Sequence, residues 1–341
     1  MILVRADGNA RIGAGHLMRC MTIMEEVKKM VGDREILFVC ADEDSARTAK
    51  DRGFRAVTLE SDYRDPEGEL PCWEKLTEAY PGQHTILVDS YFVTASYLAA
   101  LKKFCRKLYL MDDLQEKSYP VDGVINYNVF ADPALYARMY EGQDTELLLG
   151  SRYVPIRPEF LHHRVEPSRE VKQVLITTGG GDADNIGGRI LEAIYRERIT
   201  FHLVAGRFNP HLEELNAFAR LHPNVQIHSN VSDMAGLMAQ CDLAVTAGGT
   251  TIYELAALGI PFFCFSYAQN QEALTRYIGG HRIAGYCGAW HLDATGALTN
   301  IVREFDCACD DFTLRQRWHC SEKELIDGLG ARRLAEHLAS I

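Results

Sequence analysis

The sequence has little of what marks nucleic-acid, membrane or secreted proteins. Lys and Arg total 36 against 47 Asp and Glu, a net charge of −11, and no segment gathers basic residues into a cluster that would track a phosphate backbone. This argues against nucleic acid as the main partner. No apolar run approaches the roughly 20 residues that a membrane helix needs. The chain enters a strand-like run at Ile2 with no basic segment and apolar stretch before it, so no secretion signal is expected and a cytoplasmic location is. The 10 cysteines lack a disulfide-framework spacing, which points to free thiols in a reducing compartment. Cys307-Ala308-Cys309 and His319-Cys320 do not have a usual zinc spacing, so no metal site is expected. There is no short-period repeat.

What is present reads as a globular α/β protein. Hydrophobic residues make up 47% and charged residues 24%, and 341 residues suit two domains rather than one. Short runs rich in Val, Ile and Leu, at Ile2–Ala6, Glu35–Ala41, Arg55–Leu59, Thr85–Asp89, Lys107–Asp112, Gly123–Ile125 and Glu146–Leu149, alternate with helical patterns. Leu17, Met21, Met24 and Val27, for example, share one helix face. That rhythm predicts a parallel sheet covered by helices on both faces. Gly150 to Phe160 carries Pro155 and Pro158 and reads as an extended connection. The rhythm then restarts, with strands predicted at Gln173–Thr178, Phe201–Ala205, Val225–His228, Leu243–Ala247 and Pro261–Tyr267. The expected domains are 1–152 and 153–341, two Rossmann-like halves whose parallel sheets face a central cleft. Leu314 to Leu338 is mostly helical and either closes the second domain or reaches back to the first.

Three glycine-bearing segments carry the chemistry. Gly13-Ala14-Gly15-His16 follows the first strand and precedes a helix, at the sheet edge where open α/β folds place their ligands. Histidine there suits proton transfer near neutral pH, or else merely starts the helix. A dinucleotide fingerprint would require a third glycine at Met18, so an NAD enzyme is disfavoured, although Asp42 ends the second strand. Gly248-Gly249-Thr250-Thr251 stands between a strand and a helix, where free amides favour an anion. Glu254 is placed one turn later to accept from ribose hydroxyls, or else closes a Thr-x-x-Glu capping box. Gly179-Gly180-Gly181-Asp182-Ala183-Asp184-Asn185 is a third such loop, its aspartates read as helix caps in preference to metal ligands. Asp112-Asp113 is a similar acidic pair at a strand end. Asn270-Gln271 follows another strand and either recognises hydroxyls or caps the next helix.

Taken in order, these residues resemble a known family. Arg5-Ala6-Asp7, Ile12 to Cys20, Val88-Asp89-Ser90-Tyr91, Met111-Asp112-Asp113, Asn126-Tyr127-Asn128, Tyr153 to Phe160, Gly179 to Asn185, Ala247 to Leu255 and Asn270-Gln271 look like the signatures of the UDP-sugar hydrolases of pseudaminic acid biosynthesis and of the related spore-coat polysaccharide proteins. The resemblance runs over roughly residues 1–275. It implies a GT-B-like fold and a metal-independent hydrolase without a cofactor. The implied reaction splits UDP-2,4-diacetamido-2,4,6-trideoxy-β-L-altropyranose into UDP and free sugar, by attack of water with inversion at the anomeric carbon. A glycosyltransferase using a UDP-sugar donor is the alternative. Enzymes of nonulosonic acid synthesis are the implied pathway partners.

The catalytic set expected on this basis is His16 as base, with Asp7 and Tyr91. Asp7 or Arg5 is placed by its strand-end position to orient His16 or the water. The substrate-binding set is Arg5, Gly13, Gly15, Gly180, Asn185, Gly248, Gly249, Thr250, Thr251, Glu254, Asn270 and Gln271. Where the family usually has Asp-His-Tyr, this chain has Asp89-Ser90-Tyr91.

Overall fold

The computed structural model describes residues 1–9, 12–179, 182–206 and 209–339. The chain divides into two compact units, Met1–Pro155 together with the stretch from Gly328, and Ile156–Asp327. No helix among the described residues is long and apolar enough to cross a membrane.

In unit 1 the order is β1 (Ile2–Ala6), α1 (Gly15–Val31), β2 (Ile36–Cys40), α2 (Glu43–Asp51), β3 (Ala56–Thr58), α3 (Leu70–Ala79), β4 (Thr85–Asp89), α4 (Ala95–Leu101), β5 (Lys107–Met111), β6 (Gly123–Asn126), α5 (Pro133–Met139) and β7 (Glu146–Leu149). The strands form one parallel sheet in the order β3-β2-β1-β4-β5-β6-β7. Ile2, Leu3 and Val4 have no exposed surface, as expected of a central strand covered on both faces. Val4 lies in register with Phe38 on one side and Leu87 on the other.

Unit 2 repeats the plan with β8 (Gln173–Thr177), α6 (Ile186–Ile194), β9 (Thr200–Val204), α7 (Leu212–Leu221), β10 (Val225–His228), α8 (Met234–Ala239), β11 (Leu243–Ala247), α9 (Thr250–Leu258), β12 (Phe262–Ser266), α10 (Glu272–Gly280), β13 (Gly285–Ala289), α11 (Ala294–Asp310) and α12 (Phe312–Leu325). Its sheet, also parallel, has the order β10-β9-β8-β11-β12-β13. Chain direction across the sheet reverses at β1/β4 in unit 1 and at β8/β11 in unit 2. Doubly wound folds open their ligand crevices at such points, beyond the carboxyl ends of the strands.

Two features differ from the sequence reading. Strand β13 was not expected, because Gly285-Tyr286-Cys287-Gly288-Ala289 has neither an apolar run nor clean alternation. The final helix α13 (Gly330–Ala339) belongs to unit 1, so the expected second domain ending at residue 341 is corrected at its end. Leu334, Ala335 and Leu338 form its buried face, packed on α1, and Arg333 Nη1 donates to the Arg152 carbonyl at 2.9 Å. Sequence periodicity shows that such a face must be covered but not by which helix.

A buried polar network ties β1 to the segment before α3. Arg5 Nε donates to Glu69 Oε2 at 2.8 Å and its Nη2 pairs with Glu69 Oε1. Arg5 Nη1 meets Asp7 Oδ2 at 2.5 Å, and Asp7 Oδ1 accepts the Ala41 amide at 2.7 Å. Tyr97 and Ser61 donate to the remaining faces of Glu69. Removing one member of such a cluster strands a buried charge, which costs about 3–5 kcal/mol. Glu69→Ala is therefore expected to lower unfolding stability by about that amount in urea denaturation, whereas exposed Glu74→Ala should leave it nearly unchanged.

Glu322 on α12 is the opposite case. It has no exposed surface and no side-chain partner for its carboxylate among the described residues, and the Phe262 backbone amide only partly offsets its burial. Burial pushes its pKa well above the ordinary 4.5. The folded state then holds a proton that the unfolded chain releases above about that pH, so this residue makes stability fall as pH rises. Glu322→Met is expected to raise stability by about 1–3 kcal/mol at neutral pH and to flatten its decline between acid and neutral pH.

Candidate active site

The first glycine loop is built by backbone geometry. Gly13 has φ +76°, a left-handed conformation that favours glycine, and its amide donates to the Asn9 carbonyl at 2.9 Å. The loop turns the chain from β1 into α1, whose first residues are Gly15 and His16. No side chain caps this helix, and the space beside Gly15 is open.

His16 meets Asp89, the last residue of β4. Its Nδ1 lies 2.6 Å from Asp89 Oδ1. Arg19, one helical turn beyond His16, donates from Nε to Asp89 Oδ2 and from Nη2 to Oδ1, both at 2.6 Å. Asp89 is buried, which alone would favour its neutral form. The Arg19 guanidinium outweighs that cost and, with His16, holds the carboxyl well below the usual carboxylate range. An ionised carboxylate only accepts, so the 2.6 Å contact requires the proton of neutral His16 on Nδ1. Arg19 Nη2 also lies 3.2 Å from Nδ1, a longer contact in which it cannot be the donor once Nδ1 carries hydrogen. Nε2 remains as the unprotonated ring nitrogen. A carboxylate behind one nitrogen and a lone pair on the other is the arrangement of a general base.

Around this pair, Arg19 Nη1 donates to the Tyr127 hydroxyl at 2.9 Å and pairs with Asp113 at 2.8 Å. Asp113 also accepts from Tyr91 at 3.1 Å and from Asn128 at 3.0 Å. The Tyr91 ring stands edge-on to His16 with centroids 4.5 Å apart. Desolvation of its hydroxyl and the neighbouring Asp113 push the Tyr91 pKa up, so it remains a donor. His16, Asp7, Asp89, Ser90 and Tyr91 line a cavity of about 130 Å³, walled by Ile12, Tyr63 and Phe92. It has room for a few waters beside His16.

Of the orienting roles expected of Asp7 or Arg5, the one toward His16 is corrected, while Asp7 still lines the cavity beside His16. Both are engaged in the Glu69 network and neither hydrogen-bonds His16 among the described residues. Asp89 and Arg19 are the residues that sequence reasoning passed over. Their signals were the end of a strand next to β1 and an arginine one turn after His16. Asp112 accepts from the amides of Leu114 and Gln115 and from Tyr136, which makes it a structural cap, whereas Asp113 belongs to the His16 cluster.

In unit 2 the glycine segments lie at the carboxyl edge of the sheet. Gly248 is held by close packing, since a Cβ would come 2.7 Å from Thr275 Cγ2 and 2.8 Å from Gln271 Cβ. The space beside Gly249 is open, and no side chain caps the amides that begin α9 at Thr250 and Thr251. Uncapped amides and the helix dipole together suit an anion. Glu254 does not turn back to the cap. Its Oε1 accepts from Arg157 Nη2 at 2.7 Å and Nε at 3.2 Å. Burial raises its pKa and Arg157 opposes the rise. Oε2 has no hydrogen bond among the described residues.

Asp182 caps α6 through the amides of Ile186 and Gly187 at 2.7 and 2.8 Å, the capping role read from sequence. Asn185 is left-handed, with φ 52°, and its buried Oδ1 faces Gly188, not an open site. Gln271 Oε1 accepts the Tyr267 amide at 3.0 Å and so ties down its loop, while Asn270 is exposed. Gly180 lies outside the described residues. No cluster of three or more His, Cys, Asp or Glu is placed to hold a metal among the described residues.

No protein-family profile matches this chain. The Bacillus subtilis spore coat polysaccharide biosynthesis protein SpsG is 23% identical over 347 residues, covering 98% of this chain and 97% of its own length. The UDP-2,4-diacetamido-2,4,6-trideoxy-β-L-altropyranose hydrolase of Campylobacter jejuni is 22% identical over 286 residues, covering 81% and 95%. This chain is similar to those hydrolases and spore-coat proteins. It is also 25% identical over 272 residues to the uncharacterised protein MJ1062 of Methanocaldococcus jannaschii, spanning 76% of this chain but only about half (54%) of that relative.

Among solved structures, Acinetobacter baumannii MurG matches with a TM-score of 0.71 at 10% identity, covering 100% of this chain and 99% of that one. The calicheamicin glycosyltransferase CalG4 matches with a TM-score of 0.66 at 13% identity, covering 99% and 97%. The fold is thus GT-B-like, with two Rossmann-type parallel-sheet units.

The His16 tautomer is directly measurable. In long-range ¹⁵N–¹H NMR of the neutral protein, Nδ1 is expected to be the protonated nitrogen of His16, and Asp89→Ala should abolish that preference. A proton on Nε2 in the wild type would contradict the geometry.

Proposed function

We propose that the chain is an enzyme that hydrolyses a UDP-activated sugar, with UDP-2,4-diacetamido-2,4,6-trideoxy-β-L-altropyranose or a close analogue as substrate. The observation that carries this reading is the His16–Asp89 pair, whose Nε2 lone pair is left available to a cavity at the sheet's switch point. His16 takes a proton from water as the water attacks the anomeric carbon, and Asp89 stabilises the imidazolium that forms. UDP departs as a stable anion, so a strong general acid is less necessary than in ordinary glycosidases. The start of α9 at Gly249, Thr250 and Thr251 stabilises the diphosphate charge. Glu254 Oε2 accepts from ribose hydroxyls, with Oε1 anchored on Arg157. Arg5 and Asp7 act as the rigid floor of the cavity, and Tyr91 hydrogen-bonds the sugar.

UDP release from that substrate, without metal or acceptor, tests the proposal. His16→Ala should lower kcat about 10²–10⁴-fold, while the Kd for UDP changes by less than about twofold because the nucleotide contacts lie in unit 2. Near-normal turnover in His16→Ala would remove the base assignment.

A second reading, a glycosyltransferase with a UDP-sugar donor, is favoured by the fold likeness to a glycosyltransferase structure. It requires UDP release to depend on an added acceptor, whereas the hydrolase reading requires full turnover without one.

A further inference from the structure

Unit 2 carries a second cavity at the end of its sheet opposite the glycine segments. It lies where β13 begins, between the end of α10 and the outer face of α12, and has a volume of about 880 Å³. Its size falls within the range of small-molecule sites. We propose that this groove binds a small organic anion, a carboxylate or phosphate ester carried on a single planar or apolar ring.

Arg282 and Arg317 stand on its rim. Both are exposed, and neither has a carboxylate partner among the described residues. In a chain of net charge −11, arginines commonly find one: Arg5, Arg19, Arg157, Arg196 and Arg276 each pair with Asp or Glu. Glu304 also lines the groove, but it lies 3.5 Å from Arg303, which offsets its charge. His281 joins the rim. Its Nδ1 donates to the Tyr277 carbonyl at 2.9 Å, leaving Nε2 to face a ligand's polar group. Arg282 also has φ +56°, an unusual backbone for a non-glycine residue, which sets its side chain at the turn between α10 and β13. Two unpaired guanidinium groups beside one offset acid select a carboxylate or phosphate, whose planar or tetrahedral oxygens they can grip.

Half-buried Tyr286 and Leu314 line the groove together with Trp318, itself only 5% exposed. Gly285 lets this wall close on the sheet, since a Cβ there would lie 2.7 Å from Phe263 Cβ and 3.3 Å from Trp318 Cη2. Aromatic edges and faces favour a ring over a flexible chain. None of the glycine segments or their neighbours contributes to this groove, so its occupant is separate from a nucleotide at α9.

The test uses 1-anilinonaphthalene-8-sulfonate, an aromatic ring system with one anionic group, as fluorescent probe on the full chain. Arg282→Glu/Arg317→Glu alters exposed side chains, and unchanged circular dichroism and Tm will confirm that it folds. The double variant should weaken probe affinity at least about tenfold, UDP should not displace the probe, and phenyl phosphate should compete far better than inorganic phosphate. An affinity change under about twofold, or displacement by UDP, would overturn the site. Equal competition by inorganic phosphate would overturn the ring wall.

Discussion

Asp89 sits buried at the end of β4, where a carboxylate with no partner would take up a proton. Arg19 prevents this by donating to both of its oxygens. One guanidinium thus fixes the ionisation of Asp89, and the ionised Asp89 in turn fixes which nitrogen of His16 carries hydrogen. The same Arg19 reaches Asp113 and Tyr127, and Asp113 reaches Tyr91. The residues around the cavity therefore depend on one buried ion pair whose cost of burial is met by geometry rather than by distance from water.

That pair exists because of strand order. β1 and β4 are neighbours in the sheet though more than seventy residues separate their ends. The glycine loop after β1 and the acid at the end of β4 therefore meet at the reversal point, where no helix crosses over the sheet edge. Unit 2 repeats the order with β8 and β11, and there the reversal point holds glycines, an uncapped helix start and Glu254 in place of a histidine–carboxylate pair. A shared topology supplies two crevices of different chemistry: a proton acceptor in unit 1, and an anion cradle of amides in unit 2.

Most strands were legible from sequence because parallel strands buried on both faces appear as continuous Val, Ile and Leu runs. Strand β13 was not, since its two glycines and tyrosine carry no such run, and its place comes from pairing with β12. His16 and the glycine segments were legible because they sit at predicted strand-to-helix turns. The partners of His16 were not. Asp7 and Asp89 both end predicted strands, and nothing local tells which one faces the histidine. Likewise Thr251 and Glu254 have the spacing of a capping box, but Arg157, nearly a hundred residues earlier, draws the carboxylate away. Long-range charge pairing overrides local signals in each case.

The two strand-end aspartates show how similar sequence settings diverge. Asp7 accepts from Arg5 and from the Ala41 amide, and Arg5 is held in turn by Glu69, so that network is closed and satisfied. Such a cluster rigidifies, and no partner of Asp7 in it passes the charge on to a histidine. Asp89 is held by Arg19 as firmly as Asp7 is by Arg5, yet besides the Cys20 thiol it accepts from a histidine rather than from backbone. A histidine has a second nitrogen, so the charge held in the interior is relayed to a lone pair at the cavity wall. The difference between a structural floor and a reactive group here is whether the last partner in the network ends it, as the Ala41 amide does, or passes it on, as His16 does.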